Sequence, residues 1–226
     1  APFEMADEDV LGEVMQVFVQ RARSLRQLLA QAGRFGDSDY AVFHNGGRRR
    51  ALTFADHERR VASVAAALAD RGVGAGDRVA ILAANCPEWI ITFWATVSLG
   101  AVAVACNGWW TRDEIVHALA HTTPALLVAD AKRLARLDGA DPGMPVVVIE
   151  EDFVDLEGFA PDAALPDIPI DEDQPALLQF TSGTTGRSKA AVLSHRSVVA
   201  FVQVVTFLGA AQAASVGLPS TGPSRP

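Results

Sequence analysis

Five short runs of this chain are apolar almost without interruption: RVAIL (78–82), AVAVA (101–105), ALLVA (125–129), PVVVI (145–149) and ALLQF (176–180). A strand with one wet face alternates apolar and polar residues. A strand without alternation is buried on both faces, and that requires helices above and below a parallel sheet. Segments of helical period lie between these runs. The fold class expected is therefore α/β, a layered, mainly parallel sheet flanked by helices. With 226 residues, half of them hydrophobic, the chain can close such a core without disulfide or metal staples. By size it is one large domain or two small ones.

Local punctuation divides the chain further. Val10, Leu11, Val14, Met15 and Phe18 recur at helical spacing and predict a helical extension over residues 1–23. Ser24 opens a second helix that Gly33 closes. Tyr40–Phe43 and Arg49–Thr53 flank an Asn-Gly turn and read as a β-hairpin. Thr53 then caps a helix, with Asp56 three residues on, that buries Val61, Val64, Ala65 and Leu68. The glycines from Gly72 to Gly76 resemble a dinucleotide loop only superficially, because they follow a helix and precede a strand. Pro87 suits the first turn of a helix ending at Gly100. Thr111 and Glu114 form a capping box for a helix reaching about His121. Residues 24–150 thus read as an α/β subdomain. Residues 151–175, dense in Asp, Glu and Pro, read as a surface connection, with Asp171, Glu172 and Asp173 solvated. Residues 176–214 carry two strands and a long apolar helix, and 215–226 form a tail.

Charge narrows the function classes. Lys and Arg total 19 and Asp and Glu 27, a net −8, which argues against a basic face for nucleic acid. Two cysteines, Cys86 and Cys106, read as buried thiols of a cytoplasmic protein in a reducing compartment. Glu4, Asp7, Glu8 and Asp9 carry the wrong sign for a secretory signal. Trp89–Cys106 is uncharged, but it changes from helical to strand-like texture at Gly100. Ser197–Ser224 is interrupted by Gly209, Gly217 and Pro219, so no transmembrane segment is expected. His117 and His121 share a helix face without a third metal ligand and read as surface. Cys86 precedes a helix start, where a thiol pKa can fall, yet reads as an inert buried thiol. Trp89, Trp94, Trp109 and Trp110 read as core.

One segment carries chemistry. After ALLQF come Thr181, Ser182, Gly183, Thr184, Thr185, Gly186, Arg187, Ser188 and Lys189, followed by the strand-like AAVLSH. Glycines let successive backbone N–H groups turn toward an anion, and hydroxyls and cations add donors and charge. The residues alone fit either a phosphate-cradling loop or a Gly/Thr-rich hairpin with a solvated lysine. No Gly-Lys-Ser/Thr follows a four-residue gap, so a Walker A loop is disfavoured.

The order QFTSGTTGRSKAAVLSH closely resembles the signature phosphate loop of the adenylate-forming superfamily, which includes acyl-CoA synthetases, luciferases and peptide-synthetase adenylation domains. Phe180, Thr181 to Gly186, Lys189, Ser194 and His195 match. Ser188 stands where Pro is usual, and Ala190 where Gly is usual. LTF before a helix, GDRVAIL, N-x-PEW and LGAV-x-V-x-x-N follow in the family's order, so the resemblance runs nearly continuously from Ser24 to His195. The GWWT variant looks more like fatty or aliphatic acid ligases than peptide-synthetase domains.

The resemblance implies a two-step reaction using ATP, Mg²⁺ and coenzyme A. A carboxylic acid attacks the α-phosphate of ATP to give an acyl-adenylate and pyrophosphate, and the CoA thiol then displaces AMP. It implies nucleotide binding by Thr181, Ser182, Gly183, Thr184, Thr185, Gly186 and Lys189, with Lys189 stabilising the departing pyrophosphate; the Mg²⁺ ligand stays unassigned. Family chains are more than twice this length, so an amino-terminal portion that does not complete catalysis alone is expected. Its last helix is expected to expose apolar surface near Val198–Leu208 and to favour a homodimer. A non-catalytic interaction fragment, or a luciferase-like or peptide-synthetase relative, is the alternative.

Overall fold

The computed structural model describes residues 3–45, 47–181 and 188–215 and gathers the apolar runs into one six-stranded sheet. The elements ahead of it are β1 (Met5–Val10), β2 (Glu13–Phe18), α1 (Leu25–Ala32), β3 (Asp39–Asn45), β4 (Arg48–Thr53) and α2 (Phe54–Asp70). An alternating stretch follows: β5 (Arg78–Leu82), α3 (Pro87–Ser98), β6 (Val102–Ala105), α4 (Arg112–Thr122), β7 (Leu126–Ala129), α5 (Ala131–Leu134), β8 (Val146–Val148) and α6 (Ile149–Gly158). Last come β9 (Pro175–Thr181), β10 (Lys189–Ser194) and α7 (His195–Ser215). The order across the sheet is β10-β9-β6-β5-β7-β8. Every neighbouring pair is parallel except β9 with β10, which is antiparallel.

The absence of alternation in the strands is explained by what lies on each face. Val79, Leu126, Val128 and Val147 pack against residues of α2, α3 and α6. Ala80, Leu82, Leu127 and Ala129 point the other way, toward Ile115, Ala118 and Leu119 of α4. Beyond its first residue β5 is enclosed, with Val79 to Leu82 each at 0% exposure. Burying one such Val, Ile or Leu side chain contributes about 1.5–3 kcal/mol. The caps fall where the residue types place them. Thr53 Oγ1 accepts from the Asp56 N–H at 3.0 Å, Ser24 Oγ from Gln27 at 3.1 Å, and the Thr111–Glu114 capping box is formed.

Three sequence expectations are corrected. Residues 5–18 are a hairpin, not a helical extension. β1 and β2 pair antiparallel, and the chain reverses at Leu11 and Gly12, whose φ angles are 55° and 91°. Two consecutive positive φ values suit a tight hairpin turn and exclude a right-handed helix. Of the five apolar residues with helical spacing, only Val10 and Phe18 are buried.

Residues 151–175 are not all connection. Their first part belongs to α6, which buries Phe153 and Leu156 against the sheet, a two-residue stripe hidden among acidic neighbours. Nor is Glu172 solvated. Its side chain is 12% exposed and pairs with Arg21 at 2.8 Å and with Arg196 at 2.9 Å. Arg21, 2% exposed, also meets Glu8 at 2.6 Å, and Arg196 grips Asp173. Burial pulls the Glu172 carboxyl up, but the hydrogen bonds from Arg21 and Arg23 outweigh it and hold the carboxyl below its usual range. Hydrogen bonds to Arg21 and Arg196 respectively lower Glu8 and Asp173. This cluster ties the hairpin to the segment before β9 and to the start of α7. Rings reinforce it, Phe3 lying edge-on to both Phe18 and Phe207.

α7 lies largely on the surface. Phe201, Val205 and Leu208 are 68%, 52% and 58% exposed, whereas Val199 is buried. By length and composition alone, α7 is apolar enough to cross a membrane.

Two histidines are fully enclosed. His57 stacks on Tyr40 with ring centroids 4.2 Å apart, and neither ring nitrogen has a hydrogen-bond partner. Burial holds its pKa down to about 4; burial, with help from Arg26, does the same to His195. An unfolded histidine titrates near 6.5, so the stabilisation from each neutral ring is complete above that pH and is lost as pH falls toward 4. Between pH 7 and 5 the loss is about 2 kcal/mol per histidine. Urea unfolding followed by circular dichroism should show this decline. His57→Phe, which keeps the ring stack and removes the proton site, should halve it.

Candidate functional site

The antiparallel edge of the sheet builds the feet of the threonine- and glycine-rich loop. Thr181 at the end of β9 opposes Lys189 at the start of β10, and Phe180 opposes Ala190. Both foot side chains are exposed, and Thr181 Oγ1 contacts the Lys189 carbonyl at 3.4 Å. Directly opposed Cα atoms in such a ladder lie about 4.5–5.5 Å apart, so one hydroxyl and one ammonium group can reach the same anion. Ser182, Gly183, Thr184, Thr185, Gly186 and Arg187 lie outside the described residues. Ala190, standing where the resemblance has Gly, sits within the ladder and is not among the residues of positive φ. Its Cβ therefore introduces no backbone strain.

His195, matched by the resemblance, faces inward. Its side chain is 0% exposed, and Nδ1 accepts from the Leu25 N–H at 3.1 Å, which joins the start of α7 to the start of α1. The role that the geometry gives it is structural. His117 and His121 stack on each other along α4 with centroids 5.8 Å apart. Among the described residues, no group of three or more His, Cys, Asp or Glu side chains gathers to hold a metal ion.

Sequence reasoning missed a second feature of the same edge. From β5 the chain moves to β6 on one side, and from β7 to β8 on the other, so the carboxyl ends of β5 and β7 splay their loops apart. Open α/β sheets bind ligands at such switch points. A crevice of about 950 Å³ opens there between the loop after β5, the start of α5 and the β3–β4 hairpin. Asp130 straps its floor, accepting from the Ala84 N–H at 2.8 Å and from Arg133 Nη1 at 2.7 Å. Arg50 meets Glu88 across its rim at 3.1 Å. Cys86 also lines it, and burial pushes that thiol up to about 12, which removes it as a nucleophile at neutral pH. Strand order, which no single segment encodes, is what locates the crevice.

Between crevice and loop lies the turn after β6. Trp109 on this turn is 83% exposed, contrary to its reading as core, while Trp110 is buried against Phe180. Gly108 lies under two guanidinium groups, its carbonyl accepting from Arg133 Nε at 3.1 Å and from Arg136 Nη1 at 2.7 Å.

Comparison with known proteins gives the chain's relatives. The family model described as AMP-binding enzyme matches residues 28–217. A 4-coumarate–CoA ligase 2 of Oryza sativa subsp. japonica is 35% identical over 174 residues, covering 68% of this chain and 31% of the relative. A feruloyl-CoA synthase of an Amycolatopsis species is 38% identical over 157 residues, covering 69% of this chain and 30% of the relative. The chain thus spans about a third of the length of these curated relatives. Among solved structures, a fatty acyl-adenylate ligase from L. pneumophila in complex with acyl adenylate and pyrophosphate superposes with a TM-score of 0.71 at 19% identity, over 84% of this chain and 33% of its own. At that identity the likeness concerns the fold.

The turn after β6 has a direct test. A Cβ on Gly108 would lie 2.8 Å from Arg133 Nε and 3.3 Å from the Ala83 carbonyl oxygen. Gly108→Ala should therefore lower stability by about 1–2 kcal/mol in a thermal melt. Gly158→Ala, whose Cβ meets nothing within 4 Å, should be neutral or stabilising by roughly 0.5 kcal/mol.

Proposed function

Because this chain belongs to the AMP-binding enzyme family, we propose that it carries the phosphate-holding part of an ATP-dependent acid–CoA ligase. The observation that carries this reading is the placement of Lys189 opposite Thr181, at the carboxyl edge of a sheet whose loop composition suits a polyphosphate. In the proposed reaction a carboxylate oxygen of the acid forms a bond to the α-phosphorus of Mg²⁺–ATP. The bond between that phosphorus and the bridging oxygen breaks, and pyrophosphate leaves with the electron pair. The sulfur of coenzyme A then bonds to the acyl carbon, the bond from that carbon to the phosphate oxygen breaks, AMP departs with the electron pair, and the thiol proton is released to solvent. Bound to the nucleotide, Mg²⁺ would offset phosphate charge.

This chain's residues would act on the leaving group. The Lys189 ammonium group and the hydroxyl of Thr181 hold the β- and γ-phosphates, joined by donors from Ser182, Gly183, Thr184, Thr185 and Gly186. Donors fixed in place before the reaction stabilise charge as it develops, without reorganising. The acid we propose is a carboxylic acid with an apolar body, aliphatic or phenylpropenoid. The names of the two curated relatives favour the second. The setting we propose is cytoplasmic, where Cys86 and Cys106 stay reduced as the free thiols they are here.

Calorimetry of the 226-residue chain with Mg²⁺–ATP tests the reading. Saturable binding is expected, and Lys189→Ala should weaken it by roughly tenfold or more, corresponding to the loss of a charge-assisted hydrogen bond of about 1.5–3 kcal/mol. Unchanged affinity in that variant would remove the loop from the proposal. Acid-dependent ATP–pyrophosphate exchange should stay at the level of the Lys189→Ala control, because the chain spans only about a third of its relatives.

A further inference from the structure

The parallel ladder that supports β9 stops short of the phosphate loop. Its last pair with β6 joins Ala105 to Gln179. Among the described residues, Phe180 and the foot residue Thr181 pair only with β10. What braces Phe180 is Trp110, on the face of the sheet that α4 covers. Its ring meets the Phe180 ring edge-on, with centroids 4.9 Å apart and planes at 85°. It is 6% exposed, within the core cluster that includes Ile115, Leu119 and Leu137.

Trp110 is itself held from several directions. Its N–H donates to the Asn107 carbonyl at 3.1 Å, and its carbonyl accepts from Arg136 Nη1 at 3.1 Å. The next residue, Thr111, begins α4 with a complete capping box. The ring therefore cannot follow Phe180 if β9 shifts. A shift of Phe180 would carry Thr181 with it through the peptide bond, and Lys189 through the antiparallel ladder.

We propose that Trp110 is a positioning residue for the feet of the phosphate loop: its ring braces Phe180 on the α4 face of the sheet and holds the Thr181–Lys189 pair at a fixed place against the sheet for polyphosphate. The inference rests on the phosphate-holding function proposed above. It assigns Trp110 no contact with the ligand; removing its ring would cost preorganisation and leave every ligand-binding group in place.

The test is a pair of titrations of the 226-residue chain, with Mg²⁺–ATP and with Mg²⁺–pyrophosphate. Trp110→Leu should weaken both ligands about tenfold by loosening the loop's feet, and Trp110→Phe should restore most of the affinity through ring packing. Replacing Trp89, Trp94 and Trp109 by Phe leaves Trp110 as the sole indole. Its emission should then change with pyrophosphate along the calorimetric binding curve. Unchanged affinity in a folded Trp110→Leu chain overturns the proposal. So does equally weak binding in Trp110→Phe, or Trp110 emission that stays constant while pyrophosphate saturates the chain. If Trp110→Leu fails to fold, as its melting curve would show, the Trp110→Phe and emission measurements decide the matter. If the unsubstituted chain binds neither ligand, the phosphate-holding function falls and this inference with it. Binding by that chain with any of the three contrary results removes the positioning role alone.

Discussion

Enclosure of β5 on both faces is the constraint from which the rest of the architecture follows. A parallel strand with 0% exposure from Val79 to Leu82 needs helices on each side of the sheet, and successive strands can be joined only by crossing back over a face. α3 and α4 make these crossings on opposite faces, packing in separate clusters. All the parallel strands then end at one edge. The loops at that edge are the part of the chain released from packing, and they hold the crevice beside Asp130, the tryptophan turn and the feet of the proposed phosphate loop.

A second constraint is electrostatic. Arg21 is nearly buried, and an unpaired buried charge is costly, so its partners must be in place for the fold to tolerate it. Glu8 comes from β1, Glu172 from the segment before β9, and Arg196 from the first turn of α7. The cluster therefore joins the hairpin to the strand pair that carries the loop, and it does so outside the apolar core. A hairpin with most of its apolar side chains exposed would be marginal on its own. Charge pairing and the Phe3 contacts hold it in place.

Legibility followed the range of the interaction. The strands could be read from their runs, and the helix starts from Thr53, Pro87 and Thr111, because the cause lies within a few residues of the effect. The hairpin could not. Val10, Val14 and Phe18 satisfy a helical period by coincidence, and only the positive φ at Leu11 and Gly12 reveals the reversal. Glu172 looked solvated because its partner Arg21 is 151 residues away. Phe153 and Leu156 gave α6 too short a stripe to stand out from its acids. Trp109 and Trp110 are adjacent and alike in composition, yet one points to solvent and the other into the core. In the candidate site, residue order is what suggests the loop, whereas strand order and the Trp110–Phe180 contact belong to the tertiary structure alone.

The one antiparallel pair in the sheet has a chemical consequence. A parallel connection would carry the chain from one edge of the sheet to the other before returning, and would leave the two ends of a loop on different strands' terms. An antiparallel pair returns at once, so the residue entering the loop and the residue leaving it become cross-strand partners. Thr181 and Lys189 stand in that relation. Their separation is set by backbone hydrogen bonds along β9 and β10, not by the loop between them, so the loop's sequence can serve ligand contacts without also having to hold its own ends together. A substitution inside the loop, or at Ser188 beside it, is thereby decoupled from the spacing of hydroxyl and ammonium. A substitution beneath Phe180 would instead move the pair as a unit.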